Sequence, residues 1–163
     1  SLENSILGII GSAISWIFIP LGFGSIKAAV ATVMGLIAKE EIVMTFGTLY
    51  NFAGELSEAG DEIWALVAAD FGPVRAYSFM IFNLLCAPCF AACGSIRREM
   101  NSGLWTWFAI GYMCVWAYVV SLLVFQFGTW VMTGVFGTGQ AVACAIAAAI
   151  LYMIVRPNKY LRK

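Results

Sequence analysis

From about Leu104 to Phe127 the chain is an apolar run without one charged side chain, and a second such run follows from about Gly139 to Val155. As helices rising about 1.5 Å per residue, both are long enough, or nearly so, to cross a hydrocarbon core of about 30 Å. In lipid every backbone N–H and C=O needs an internal partner, so runs of this kind fold as helices packed in a bundle. Composition agrees: 62% of the 163 residues are hydrophobic and 11% charged, where soluble domains carry about a quarter charged residues. The expected fold is an all-α polytopic membrane bundle of about four transmembrane helices plus one short or re-entrant N-terminal segment. Nine basic and nine acidic residues cancel, which gives no reason to expect a nucleic-acid partner. There is no histidine, and that removes imidazole ligands and histidine bases, leaving Cys, Met, Asp, Glu and backbone carbonyls as candidate metal ligands.

Five hydrophobic elements can be laid out. Ser5 to about Gly22 holds Pro20 and three glycines and reads as a short, tilted or re-entrant piece. Ile26 to about Tyr50 forms the second element and carries Lys39-Glu40-Glu41 near its middle. Asn51 to Arg75 reads as a polar loop whose carboxylates, Glu55, Glu58, Asp61, Glu62 and Asp70, form a solvated surface able to attract cations. Ala76 to about Ile96 is the third element, closed by Arg97-Arg98-Glu99, and the two apolar runs are the fourth and fifth. Basic residues gather at Arg97, Arg98 and the C-terminal Arg156, Lys159, Arg162 and Lys163. The positive-inside rule therefore places both clusters in the cytoplasm and the acidic loop outside. Trp105, Trp107 and Trp130 read as headgroup anchors. Gly137, Ala141, Ala145 and Ala149 form a stripe of small residues that lets another helix approach closely.

Two features carry chemistry. Leu84-Leu85-Cys86-Ala87-Pro88-Cys89-Phe90-Ala91-Ala92-Cys93 sets three cysteines and a proline inside an apolar span. At about 100° per residue, Asn83, Cys86, Cys89, Cys93 and Arg97 share one helical face. Pro88 lacks an N–H, so the Leu84 carbonyl one turn earlier loses its partner and the helix is expected to bend, offering thiols and a free carbonyl together. Cys86, Cys89 and Cys93 are the candidate metal ligands and Asn83 a candidate pathway residue. Cys114 and Cys144 read as small packing residues. The second feature is Lys39-Glu40-Glu41. A charge at bilayer depth costs at least about 2.5–3.5 kcal/mol, so this run needs partners, water or a broken helix. On an unbroken helix Lys39 and Glu41 point to nearly opposite sides. Lys39 and Glu40 thus stand as candidate pathway or gating residues, with a Lys–Glu network holding neighbouring helices as the other reading.

Ile19-Pro20-Leu21-Gly22-Phe23, Gly35-Leu36-Ile37-Ala38-Lys39-Glu40, Gly47-Thr48-Leu49-Tyr50, Ile81-Phe82-Asn83-Leu84-Leu85-Cys86-Ala87-Pro88-Cys89 and Ile96-Arg97-Arg98-Glu99 occur in an order and spacing that resembles the second half of the membrane domain of the ferrous iron transporter B family. The resemblance implies Fe²⁺ as the transported ion. It also makes the Pro-Cys segment the second of two Gate motifs, with its cysteine, here Cys89, on the ion path; Cys86 and Cys93 lie outside that motif and enter only through the helical face. Whole members begin with a cytoplasmic GTP-binding domain, whereas this chain has no G-x-x-x-x-G-K-[ST] phosphate loop. Residues 1–163 are therefore expected to be the C-terminal part of a permease that binds no GTP and catalyses no reaction itself. The start at Ser1-Leu2-Glu3-Asn4, without an initiator methionine, reads as that of a fragment or of one part of a split transporter. The expected location is the bacterial or archaeal cytoplasmic (inner) membrane, with the C-terminus inside. Expected partners are the bilayer, the GTPase and first Gate parts, small cytoplasmic accessory proteins of the same iron system, and a second copy of the chain. Two other classes stay open. One is a Gate-domain protein of nucleoside transport or spore maturation. The other is a membrane thiol redox protein using Cys86-Ala87-Pro88-Cys89, against which stands the burial of that pair in an apolar span, away from the helix N-terminus that usually stabilises a reactive thiolate.

Overall fold

The structure, a computed structural model, describes residues 5–50 and 63–156. Among these residues all regular structure is helical: α1 (Ile6–Phe18), α2 (Ile26–Ile37), α3 (Glu41–Leu49), α4 (Trp64–Asp70), α5 (Pro73–Leu85), α6 (Phe90–Met100), α7 (Gly103–Thr133) and α8 (Thr138–Val155). Pro73–Met100, Gly103–Thr133 and Thr138–Val155 are long and apolar enough to cross a membrane, and α1 with α2 adds a fourth if that bent pair is one span. α5 makes the most extensive helix–helix contact with α7, which also carries α6 and α8, while α1, α2 and α3 form a second layer.

α1 and α2 are bent by 101° relative to each other, in keeping with a broken or re-entrant first segment. The cause lies in Ile19-Pro20-Leu21-Gly22-Phe23. Pro20 sits in a single 3₁₀ turn, Gly22 reverses the chain in the left-handed region at φ 88°, and Phe23 turns inward at 2% exposure. A side chain on Gly22 would both strain this backbone and strike the Phe125 ring. Ser25 then opens α2 by accepting from the Ala28 N–H at 3.2 Å, as a serine N-cap does. The core gathers here, where Phe18, Phe23, Phe46, Phe71, Phe79 and Phe82 meet with ring centroids 5.2–5.9 Å apart.

Several expectations change. Residues 26–50 are two helices rather than one: α2 stops at Ala38, which is extended at φ −150°, and α3 begins at Glu41. The Pro-Cys helix is broken rather than bent. α5 ends when Cys86 turns extended at ψ 167°, and α6 restarts after Cys89 at ψ 161°. The expected 51–75 loop contains α4 and the first turn of α5; Glu55, Glu58, Asp61 and Glu62 lie outside the described residues. Asp70 is no free surface charge, since it pairs with Lys27 at 3.3 Å and accepts from the Tyr50 hydroxyl at 2.6 Å. α7 continues past Phe127 to Thr133, which puts Trp130 in its last turn. On α8 the face turned to α7 carries Gln140 and Ala143, while Ala141, Ala145 and Ala149 are exposed, so the small stripe does not serve packing among the described residues. Trp105 and Trp107 are exposed at the start of α7, as anchors would be.

Candidate functional site at two helix breaks

The breaks at 38–40 and 86–89 come together. Once α5 ends with Cys86 N–H bonded to the Phe82 carbonyl at 2.8 Å, the carbonyls of the last turn have no helical partner. Lys39, freed from helical geometry at the end of α2, donates its ammonium to the Asn83 carbonyl. That contact places a cation at the negative end of the α5 dipole, and it shows why a lysine is tolerated in an apolar segment. The orphaned carbonyl is satisfied one residue before Leu84, the position expected from Pro88 alone, because the helix unwinds from Cys86. Asn83 is buried at 8% exposure, and its side-chain amide donates to the Phe79 carbonyl at 2.9 Å. Glu40 and Glu41 are exposed, and Glu41 lies in the first turn of α3, where the dipole favours an acid. Among the described residues the ion pair is Lys27–Asp70; Lys39 bonds to a carbonyl, so the Lys–Glu network does not form there.

The shared cysteine face is absent because residues 86–89 are not helical. Cys86 has its Sγ 3.6 Å from the Sγ of Cys114 on α7. The Cys93 thiol lies 3.3 Å from the Pro88 carbonyl. Cys89 is half-buried in the position just before α6. Among the described residues no three side chains of the Cys, Asp and Glu type form a group that could hold a metal. Cys89 nonetheless occupies the helix N-terminus thought to be lacking in this segment. Beside the break lies a cleft of about 530 Å³, with Ala87, Pro88, Cys93, Arg97, Thr106 and Cys114 in its wall.

A second set of contacts, which the sequence reading missed, satisfies the α1–α2 bend. Tyr118 of α7 donates to the Ile17 carbonyl at 2.8 Å and Gln126 to the Pro20 carbonyl at 2.9 Å. Ser78 of α5, fully buried, donates to the Leu21 carbonyl at 2.8 Å, and Ser121 of α7 donates to the Ser78 carbonyl at 2.8 Å. Non-helical backbone at membrane depth needs such partners. The available signal was Gln126, the one amide side chain of an otherwise apolar run.

At the far end of α2 and α3, the Lys27 ammonium also lies 4.0 Å from the centre of the Tyr50 ring. The hydrogen bond from Tyr50 holds the Asp70 carboxyl below its ordinary pKa, with Lys27 adding to the effect. Burial, then Asp70, raises that of the Tyr50 phenol.

The amino-acid sequence that builds these elements is matched elsewhere. The family named Gate, described as nucleoside recognition, matches residues 2–103. The chain belongs to the Gate family. It is similar to Fe(2+) transporter FeoB of Staphylococcus aureus, 36% identical over 128 residues, covering 78% of this chain and 18% of the relative. FeoB of Methanocaldococcus jannaschii is 36% identical over 129 residues, with the same coverage. A Porphyromonas gingivalis protein named as a fusion of Fe(2+) transport protein A and FeoB is 34% identical over 135 residues, covering 77% of this chain and 16% of the fusion. The chain thus spans less than a fifth of the length of these relatives. No solved structure matches.

Proposed function

We propose that this Gate chain is the C-terminal membrane portion of a ferrous iron transporter, and that the paired breaks at 38–40 and 86–89 belong to its ion path. The observation that carries this reading is the Lys39 ammonium seated on the Asn83 carbonyl: two interrupted helices meet there, and helix-end carbonyls are the groups with which interrupted membrane helices coordinate cations. The likeness to FeoB relatives supplies Fe²⁺ as the cargo. Cys89, at the start of α6 across the same break, would give the path a soft ligand suited to a borderline-soft ion. Cys86 and Cys93 join it only if the 86–89 segment rearranges, since at rest they hold other partners.

Leu84 and Phe90 flank the break with exposures of 79% and 67%, and an interrupted backbone in lipid requires cover. The remaining length of the transporter provides it in this reading, as the first Gate half, with a GTP-binding domain also lying outside residues 1–163. Residues 1–163 themselves bind no nucleotide and perform no covalent chemistry. The location is the cytoplasmic membrane with Arg97, Arg98 and the C-terminus inside. A small cytoplasmic transport protein A is the expected partner, since the Porphyromonas gingivalis relative carries one as a fusion.

Ferrous uptake by full-length transporter carrying Cys89→Ser tests the reading. Serine keeps the size but replaces a soft thiolate with a poor Fe²⁺ ligand, so uptake should fall at least about tenfold with unchanged membrane abundance. Parental uptake of iron by this variant at equal abundance removes Cys89 from the path. Nucleoside uptake without any metal uptake would move the chain to the nucleoside branch of the Gate family.

A further inference from the structure

We propose that Cys86 and Cys114 form a reversible, peroxide-driven disulfide that ties the α5–α6 break to α7. Their Sγ atoms lie 3.6 Å apart, and a disulfide needs about 2.05 Å. Cys86 belongs to the non-helical 86–89 segment, so it can approach without unwinding a helix, while Cys114 sits on the long, regular α7. Both thiols are half-buried, and Cys114 stands in the wall of the 530 Å³ cleft, large enough for hydrogen peroxide.

The place of Cys114 in the cleft wall makes it the thiol that peroxide meets first in this proposal. The Cys114 thiolate attacks one oxygen of hydrogen peroxide, the O–O bond breaks, and a sulfenic acid forms with loss of hydroxide, which is protonated to water. The Cys86 thiolate then attacks the Cys114 sulfur, forming the S–S bond and expelling the sulfenic hydroxyl as a second water. Both sulfurs are oxidised by one electron each, and peroxide takes up two electrons and two protons to give two waters. A dithiol reverses the reaction by exchange. The bond fixes the carbonyl-bearing end of α5 against α7, so the break can no longer part from it. That this stops cation passage rests on the function proposed above, and it would halt ferrous entry when peroxide, which reacts with Fe²⁺, is present.

The test uses full-length transporter in membrane vesicles, treated with hydrogen peroxide, alkylated and digested for mass spectrometry. A peptide pair linked through Cys86 and Cys114 is expected, retained in Cys93→Ser and absent in Cys114→Ser. Absence of the pair, or linkage of Cys93 in its place, overturns the proposal. In parallel, peroxide should reduce ferrous uptake severalfold in the parent, dithiothreitol should restore it, and Cys114→Ser should transport normally and resist peroxide. Unchanged uptake by disulfide-bonded parent overturns the lock. If reduced parent carries no iron, the proposed function fails, while the mass measurement still decides the disulfide.

Discussion

Ser78 is fully buried between two elements and donates to the Leu21 carbonyl at the end of the 3₁₀ turn that joins α1 to α2. Ser78→Ala leaves that acceptor unpaired in an apolar setting. It should cost about 1–3 kcal/mol, seen as a lower thermal midpoint in detergent, whereas the exposed Ser95→Ala should be close to silent. Lys39 and Glu40 separate by partner. Lys39→Met removes the cation from the Asn83 carbonyl and should impair uptake strongly. Glu40→Gln, on an exposed side chain, should depress uptake with abundance intact if Glu40 lies on the path; loss of abundance instead would assign it a structural duty. The Asp70 clasp has a defined pH sense. Its carboxyl is held below the ordinary value, foremost by the Tyr50 hydroxyl, so the contribution is present above the ordinary carboxylate range and fades as pH falls through the depressed value. Hydrogen exchange in α3 should accelerate below that point in the parent, and in Tyr50→Phe the onset should move to higher pH.

Among the elements, breaks decide what this chain can do. Pro20 and Gly22 made the first break legible, since proline fixes a turn and Gly22 takes the positive φ that other residues resist. Pro88 pointed to the third, yet suggested a bend. Proline constrains the residue before it as well as removing an N–H, and the outcome is four non-helical residues that scatter the expected cysteine face. The second break carries no glycine or proline at residues 38–40. The charged run itself had called for partners, water or a broken helix, but the partner, the Asn83 carbonyl of α5, could not be read from one segment. The contact between Cys114 and Cys86 was out of reach for the same reason, since the two lie 28 positions apart in sequence. Pro88→Ala should favour a continuous α5–α6 helix and withdraw the Asn83 carbonyl from Lys39. Restored amide protection across 86–89 with loss of uptake is the expected result, and unchanged exchange there would show that the surroundings, not proline, impose the break.

At the scale of the whole molecule, α7 is the mast: α5, α6 and α8 pack on it, and its Tyr118 and Gln126 hold the α1–α2 bend. Exposed Leu104 and Val131, at 79% and 82%, lie at its two ends. The proposed orientation, with Arg97 inside, predicts that a cysteine replacing Glu58, in a background lacking the native cysteines, reacts with an impermeant reagent in intact cells while one replacing Lys159 does not; the reverse pattern inverts the topology. The most direct measurement of the central claim is the rate at which Cys89 is alkylated in full-length transporter under anaerobic conditions, with and without Fe²⁺, and with half-buried Cys144 on α8 as internal reference. Ferrous ion in the path should slow the reaction at Cys89 severalfold and leave Cys144 unchanged. Equal rates at Cys89 with and without the ion would contradict an ion path through the Pro-Cys break.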